Sequence, residues 1–315
     1  MVTSRFTSDG ASMKVVRPIT ITDSNLTSST VPETDYPLWV VGTAYAVGAY
    51  VIRTTGLHRI YQCLVANTGV APETSTLAVT TSPKWLDTGP TNTYGMFDSQ
   101  VGTATTVASS LTVVIAPGTA DSLGLLQLVG DSVRVSMVSG STTVYDKTYS
   151  LSYGASTLDW YGYFFNPISK KTDLVITDMP PYYSGVITIT ITAASGNVSC
   201  GMCVVGPMFD LGYTQAGATV GIIDYSRKDI DAFGNPYVTL RKFVKKMDSK
   251  VFVSATNYDL TAQTLAKYRS TPCLWIGSDN VFTSLIVYGI YRDWSLDISN
   301  PYSGSMCSLT IEGFI

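Results

Sequence analysis

Residues 180–191 read PPYYSGVITITI. Within them Ile187, Ile189 and Ile191 alternate with Thr188 and Thr190. A strict period of two puts isoleucine on one face and threonine on the other, the pattern of a β-strand with one side buried. The branched Cβ of both residue types suits a pleated strand. Val133, Val135 and Met137 alternate in the same way with Arg134 and Ser136, and residues 144–151 repeat the pattern. Clusters of Gly, Pro, Asp and Ser separate these runs at the spacing of a sandwich or barrel. Residues 94–212 are therefore expected to form a jelly-roll-like β-sandwich, with Trp160, Phe164 and Phe165 in its core region.

The composition points the same way. Charged residues make up only 14% of the chain, well under the roughly 25% of an ordinary globular protein. Its only glutamates are Glu33, Glu73 and Glu312, so nearly all of its 23 acidic residues are aspartates. Glutamate favours helices, whereas aspartate favours turns and caps. The chain reads as mainly β. Its net charge is −3, and like charges gather only in pairs such as Lys170-Lys171 and Lys245-Lys246. That excludes the clustered basic face of a nucleic-acid binder. The start, MVTSRFTSDG, holds no apolar run, and LGLLQLV at 123–129 is far short of a membrane span. The expectation is a soluble chain made in the cytoplasm, with no membrane insertion.

Three further segments flank or precede the sandwich. Residues 1–35 are Ser/Thr-rich, lack a sustained period, and are broken by Asp9-Gly10, Pro18 and Pro32. They are expected to form an extended arm, disordered or laid along a partner chain. Residues 36–93 hold short runs such as AYVIR (49–53) and IYQCLV (60–65) between Gly48, Gly56 and Gly69, the marks of a small β unit. Residues 213–315 form a β-rich docking domain with strands at 237–244, 250–255, 284–292 and 305–312. One short helix is predicted over 260–269, with Asp259 as its cap, Arg269 at its negative end and Pro272 beyond it.

Few residues offer chemistry. His58 is the only histidine, which excludes a multi-histidine metal site and most catalytic triads. It is expected to be an exposed side chain at a turn. Cys200-Gly-Met-Cys203 is a lone CxxC with no second pair and no histidine near it, and it reads as buried strand rather than a zinc or redox site. No glycine-rich phosphate loop is present. Asp224, Asp229 and Asp231 cluster in GIIDYSRKDIDAFGN. Their carboxylates could bind calcium or, as Asp224 with Asp231, cleave a glycosidic bond. The spacing is not that of a calcium loop, and Arg227 and Lys228 balance the charge, so a polar loop held by local ion pairs is the plainer reading. No cofactor and no enzymatic activity are expected.

Two resemblances add to this. Trp39, Tyr45, Gly48, Val51, Tyr61, Cys63, Pro72 and Trp85, in that order, resemble the small carbohydrate-binding modules at the ends of chitinases. The resemblance implies Trp39, Tyr61 and Trp85 as the candidates for stacking on a sugar. It departs where those modules carry an exposed aromatic pair, because Leu64-Val65 stands there. The remainder resembles virion structural proteins of tailed bacteriophages, through NTYGMFDSQVGT (92–103), PPYYSGVITITI, VGIIDYSRKDIDAFGN (220–235) and the closing LTIEGFI. It implies a galactose-binding-like sandwich used for assembly.

The expected function is a structural component of a phage tail, a homo-oligomer or an adaptor for fibres. Its expected partners are itself, in a symmetric oligomer about the tail axis, and other tail or fibre proteins. The alternative is recognition of a host surface glycan by the small module or the sandwich. A glycan-degrading enzyme is the third and weakest reading.

Overall fold

The structure is a computed structural model and describes residues 12–100, 102–152, 170–231, 233–278, 283–298 and 304–314. Trp160, Phe164 and Phe165, placed in the sandwich core by the sequence, lie outside the described residues. The chain is mainly β, built as a small module, a sandwich and a barrel.

The N-terminal segment contributes β1 (Ser12–Val16) and β2 (Leu26–Ser29). Neither belongs to a free arm. β1 pairs with strands from the last third of the chain, and β2 pairs at the edge of the sandwich. This corrects the reading of 1–35 as an extended arm for its described part. SMKVV is too short to show a period, yet Met13, Val15 and Val16 are buried, enough apolar surface to hold the strand in its own fold.

The module lies between β2 and the sandwich. It has a two-stranded pair of β3 (Ala44–Tyr45) and β6 (Asn67–Thr68). A three-stranded sheet runs in the order β4 (Tyr50–Arg53), β5 (Arg59–Cys63), β7 (Trp85–Pro90).

The sandwich is built from β8 (Thr105–Ile115), β9 (Ser122–Leu126), β10 (Ser132–Ser139), β11 (Thr142–Ser150), β12 (Leu174–Ile176), β13 (Gly185–Cys200) and β14 (Met202–Gly206). One sheet has the order β11-β10-β13-β8-β2 and the other β12-β9-β14. The alternation that opens the sequence sits at the centre. Ile187 is paired with Met137 and Ile115, Ile189 with Val135 and Val113, and Ile191 with Val133 and Leu111. Residues directly opposite in antiparallel strands share a face, so these triplets form rows, and all nine side chains are buried. Each fully buried aliphatic side chain stabilises the fold by about 1.5–3 kcal/mol. On the other face Thr112 and Thr190 meet through their hydroxyls at 3.2 Å.

The last third of the chain supplies β15 (Met208–Thr214), β16 (Thr219–Asp224), β17 (Arg227–Ile230), β18 (Pro236–Thr239), β19 (Phe243–Ser254), β20 (Cys273–Ile276), β21 (Ile286–Leu296) and β22 (Gly304–Gly313), of which β15, β19, β20, β21 and β22 form a barrel. Its sheet runs β15-β1-β20-β21-β22-β19, and Tyr213 of β15 pairs with Phe252 of β19 to close the ring. β1 is thus a stave of the barrel, between β15 and β20. The barrel begins before residue 213, because β15 belongs to it rather than to the sandwich. The helix spans Tyr258–Lys267, two residues earlier than predicted, with Asn257 at its N-cap and Asp259 inside the first turn. Asp259 therefore acts on the helix dipole rather than as the cap. The helix turns Leu265 into the barrel's apolar cluster with Met13, Val15, Trp275 and Ile311. A separate buried cluster joins barrel to sandwich, with Val16, Leu274 and Ile276 against Leu126, Met202 and Val204. Here Gly206 passes the N-terminal segment so closely that a Cβ on it would lie 2.0 Å from the carbonyl oxygen of Arg17.

Candidate functional site

Three places hold the residues from which a function could be built: the module's aromatics, the junction around His58, and the excursion between β16 and β19.

In the module, Trp85 is 0% exposed and Tyr61 2%. Both pack with Val51 and Cys63 in its core. The Trp85 indole meets Tyr45 edge-on at 5.3 Å and donates its Nε1–H to the carbonyl of Val70 at 3.0 Å. Burial pushes the Tyr61 phenol above its usual range. Neither ring has a free flat face, which corrects the expectation that these two stack on a sugar. Trp39 is half-buried, with the Arg53 guanidinium 5.0 Å from its ring and that guanidinium held by Glu73 at 2.7 Å. Leu64 and Val65 are exposed, aliphatic side chains with no π face. The module's exposed aromatic pair is instead Tyr36 and Tyr50, stacked at 4.9 Å with 19° between the rings. Nothing local in the sequence marks the pair, because the two residues meet only once β4 folds beside the segment that leads into it.

His58 is buried at 7% exposure, not exposed as expected, and it takes a left-handed φ of 50°. Its ring stacks on Tyr94 at 3.7 Å. Nδ1 lies 2.9 Å from Glu33 Oε1, and Nε2 lies 2.6 Å from Asp23 Oδ1. The second contact is poorly aligned for a directed hydrogen bond, so it is chiefly electrostatic. Thr91 donates its hydroxyl to Glu33 at 2.5 Å, and Tyr94 donates its own to Asp23 at 3.0 Å. Burial works to raise the Asp23 carboxyl, but the Tyr94 hydroxyl and the nearby His58 hold it below the usual carboxylate range. The cluster ties module, N-terminal segment and sandwich entrance at one point. Its groups contact one another across three segments of the chain, which makes it a structural tie.

The third place is the excursion from β16 to β19. β17 and β18 pair only with each other, from Arg227 opposite Thr239 to Ile230 opposite Pro236. Every described residue from 233 to 243 is exposed. Phe233 is 91% exposed, Leu240 86% and Ile230 68%. Val238 and Tyr237 are open as well, and so are Val220 and Ile222 on β16. The carboxylates here are engaged locally. Asp231 accepts from the backbone N–H of Phe233 at 2.9 Å and of Asn235 at 2.8 Å, closing the tip. Asp229 accepts from Arg227 Nε at 2.5 Å, and Asp224 from the N–H of Ser226 at 2.8 Å. Hydrogen bonds lower the Asp224 and Asp231 carboxyls, the opposite direction from a glycosidase's general acid. Among the described residues no three His, Cys, Asp or Glu side chains group as metal ligands, and Asp224, Asp229 and Asp231 take part in local turn and ion-pair contacts.

Beside the base of this hairpin runs a groove of about 760 Å³ lined by Tyr225, Val244, Pro272, Ile290 and Phe314. The Arg292–Glu312 ion pair at 2.8 Å lies among its lining residues. Cys200 and Cys203 flank a turn at Gly201 and are both buried. Burial pushes the Cys200 thiol up to about 12 and Cys203 well above its usual value, so neither is a ready thiolate. No described helix is long and apolar enough to cross a membrane. The chain matches no protein-family model, and no curated protein matches it.

Proposed function

We propose that this chain is a structural component of a bacteriophage tail, an oligomer associated with the tail or an adaptor for its fibres. The observation that carries the assembly part of this reading is the β16–β19 excursion. A two-stranded hairpin is marginal by itself in water, and this one displays Phe233, Leu240, Ile230 and Val238 to solvent. Exposed apolar surface of this extent marks a place where another protein sits. The tail assignment rests on the resemblance of the strings at 92–103, 180–191 and 220–235 to tail virion proteins. The low charge content supports burial against neighbouring subunits. The sandwich and barrel, joined through their own buried cluster, would serve as the rigid body.

Light scattering on the purified chain in moderate salt tests the assembly reading. It predicts one defined oligomeric mass across micromolar concentrations. A monomer at every concentration counts against it.

A second reading has one observation in its favour. The exposed stack of Tyr36 and Tyr50 gives the module an aromatic surface, and aromatic faces are what sugars stack on. Weak binding of a host surface polysaccharide there would gain from many copies. Glycan-array binding that is lost in Tyr36→Ala and Tyr50→Ala, with melting unchanged, supports this reading. Binding that survives both changes removes it.

A further inference from the structure

We infer that β16 and the hairpin that follows it form a joint between two copies of this chain, edge to edge along β16. The inference deepens the assembly reading above and rests on it.

The first argument is the edge. Among the described residues β16 is the last strand of its sheet and pairs on one side only, with β19. A free edge presents a row of N–H and C=O groups that will pair with any suitable strand. Proteins guard such edges with charges, prolines or short length. The sandwich does this at β11, which pairs only with β10 and carries Asp146 and Lys147, both exposed. β16 reads TVGIID, with no proline and no charge before its last residue. The molecule that guards one edge leaves the other open.

The second argument is the hairpin face. Residues opposite each other share a face, so Ile230 with Pro236 and Lys228 with Val238 make one side of the hairpin. That side is apolar but for one lysine, and no other strand covers it. The opposite side carries Arg227, Asp229, Tyr237 and Thr239. The hairpin is thus amphipathic, with its apolar side unpartnered among the described residues.

The third argument is size and sign. The open apolar side chains of β16, the hairpin and its base include Val220, Ile222, Ile230, Phe233, Val238 and Leu240, the kind of surface from which an interface of about 800 Å² per partner is built. A second copy brings the same unpaired row of backbone groups, so antiparallel pairing about a two-fold axis satisfies both edges at once. The hairpin carries both signs of charge, Arg227 and Lys228 beside Asp229 and Asp231, so two copies do not repel as like-charged bodies would.

Single cysteines on β16 test the joint. The native thiols of the chain are all buried, so Val220→Cys or Ile222→Cys adds the one accessible thiol. Mild oxidation of the full-length chain should give a disulfide-linked dimer on a non-reducing gel from at least one position between 219 and 223. A Leu77→Cys control on the module's exposed surface should stay uncrosslinked. The double variant Phe233→Ser with Leu240→Ser should raise the dissociation constant at least tenfold, while its melting temperature matches the wild type's when both are measured at concentrations low enough to be monomeric. An oligomer that forms no crosslink from any of these positions overturns the joint and leaves the assembly reading standing. A wild-type monomer, its hairpin left for some other protein to cover, overturns the joint and counts against self-assembly as well.

Discussion

The module and the hairpin use the same kinds of residue in opposite ways. The module turns Trp85 and Tyr61 inward and leaves Leu64 and Val65 outside. The hairpin turns Phe233, Tyr237 and Leu240 outward and keeps its carboxylates on local partners, Asp231 at the tip and Asp229 on Arg227. The difference follows from what each can cover. The module has five short strands and enough layers to bury Val51, Tyr61 and Cys63 around Trp85. The hairpin has two strands and no second layer. An aromatic residue therefore signals a core in one place and a contact surface in the other, and only the number of neighbouring elements decides which.

The sharpest way to break this comparison is Trp85→Ala. Truncating a fully buried tryptophan costs about 3–5 kcal/mol, enough to unfold a unit as small as the module. Calorimetry should lose one transition, and protease should cut within 36–93 while the barrel and sandwich stay intact. Loss of every transition together would mean the module has no stability of its own to compare.

A smaller effect is expected at Gly206. Gly206→Ala forces a methyl group against the carbonyl of Arg17, and overpacking of this kind typically costs about 1–3 kcal/mol. Because the N-terminal segment threads both sandwich and barrel, the main transition should fall while the module's own stays. A main transition at its wild-type temperature would show that the segment shifts aside freely.

The smallest effect concerns acid. The Asp23 carboxyl is held below its unfolded value, so its contribution is present above the ordinary carboxylate range and is lost as the pH falls through the lowered folded value. Asp23→Asn should lower the module's melting temperature at pH 7 and flatten its decline in acid, so that the variant and the wild type converge as the pH falls below the ordinary carboxylate range. A decline as steep as wild type would show that the tie at His58 depends on Glu33 alone.

Much of the sandwich was legible in the sequence because period two is a local property. Ile187, Ile189 and Ile191 declare their buried face within five residues, and the structure stacks them on Met137, Val135 and Val133. The barrel was legible as strands but not as a ring. The stave that closes it, β1, is five residues long, and its partners lie beyond residue 207. YVTLRKFV at 237–244 reads as one strand, yet β18 stops at Thr239 and β19 starts at Phe243, because between them the chain leaves the hairpin and joins the barrel. His58 was misread for the same reason of distance. Its partners Asp23 and Glu33 sit in a Ser/Thr-rich stretch without any period, and no local signal brings them to an imidazole. Burial was the other thing hidden. The order of Trp39, Tyr61 and Trp85 is a property of sequence, but which of them faces water is a property of the packed module.

The position of β1 also bears on how the protein is made. A ribosome adding about 5–20 residues per second finishes β1 long before β20, so Met13, Val15 and Val16 wait roughly ten seconds to a minute for their last neighbour. The sandwich can collapse during that interval, since its strands emerge in sequence between residues 105 and 206. The barrel cannot close until translation has passed residue 313, because β21 and β22 are also staves of the ring. For most of its synthesis the chain therefore carries an uncovered apolar strand near its beginning. The last steps of its maturation are the return of that strand and the closing of the ring around it.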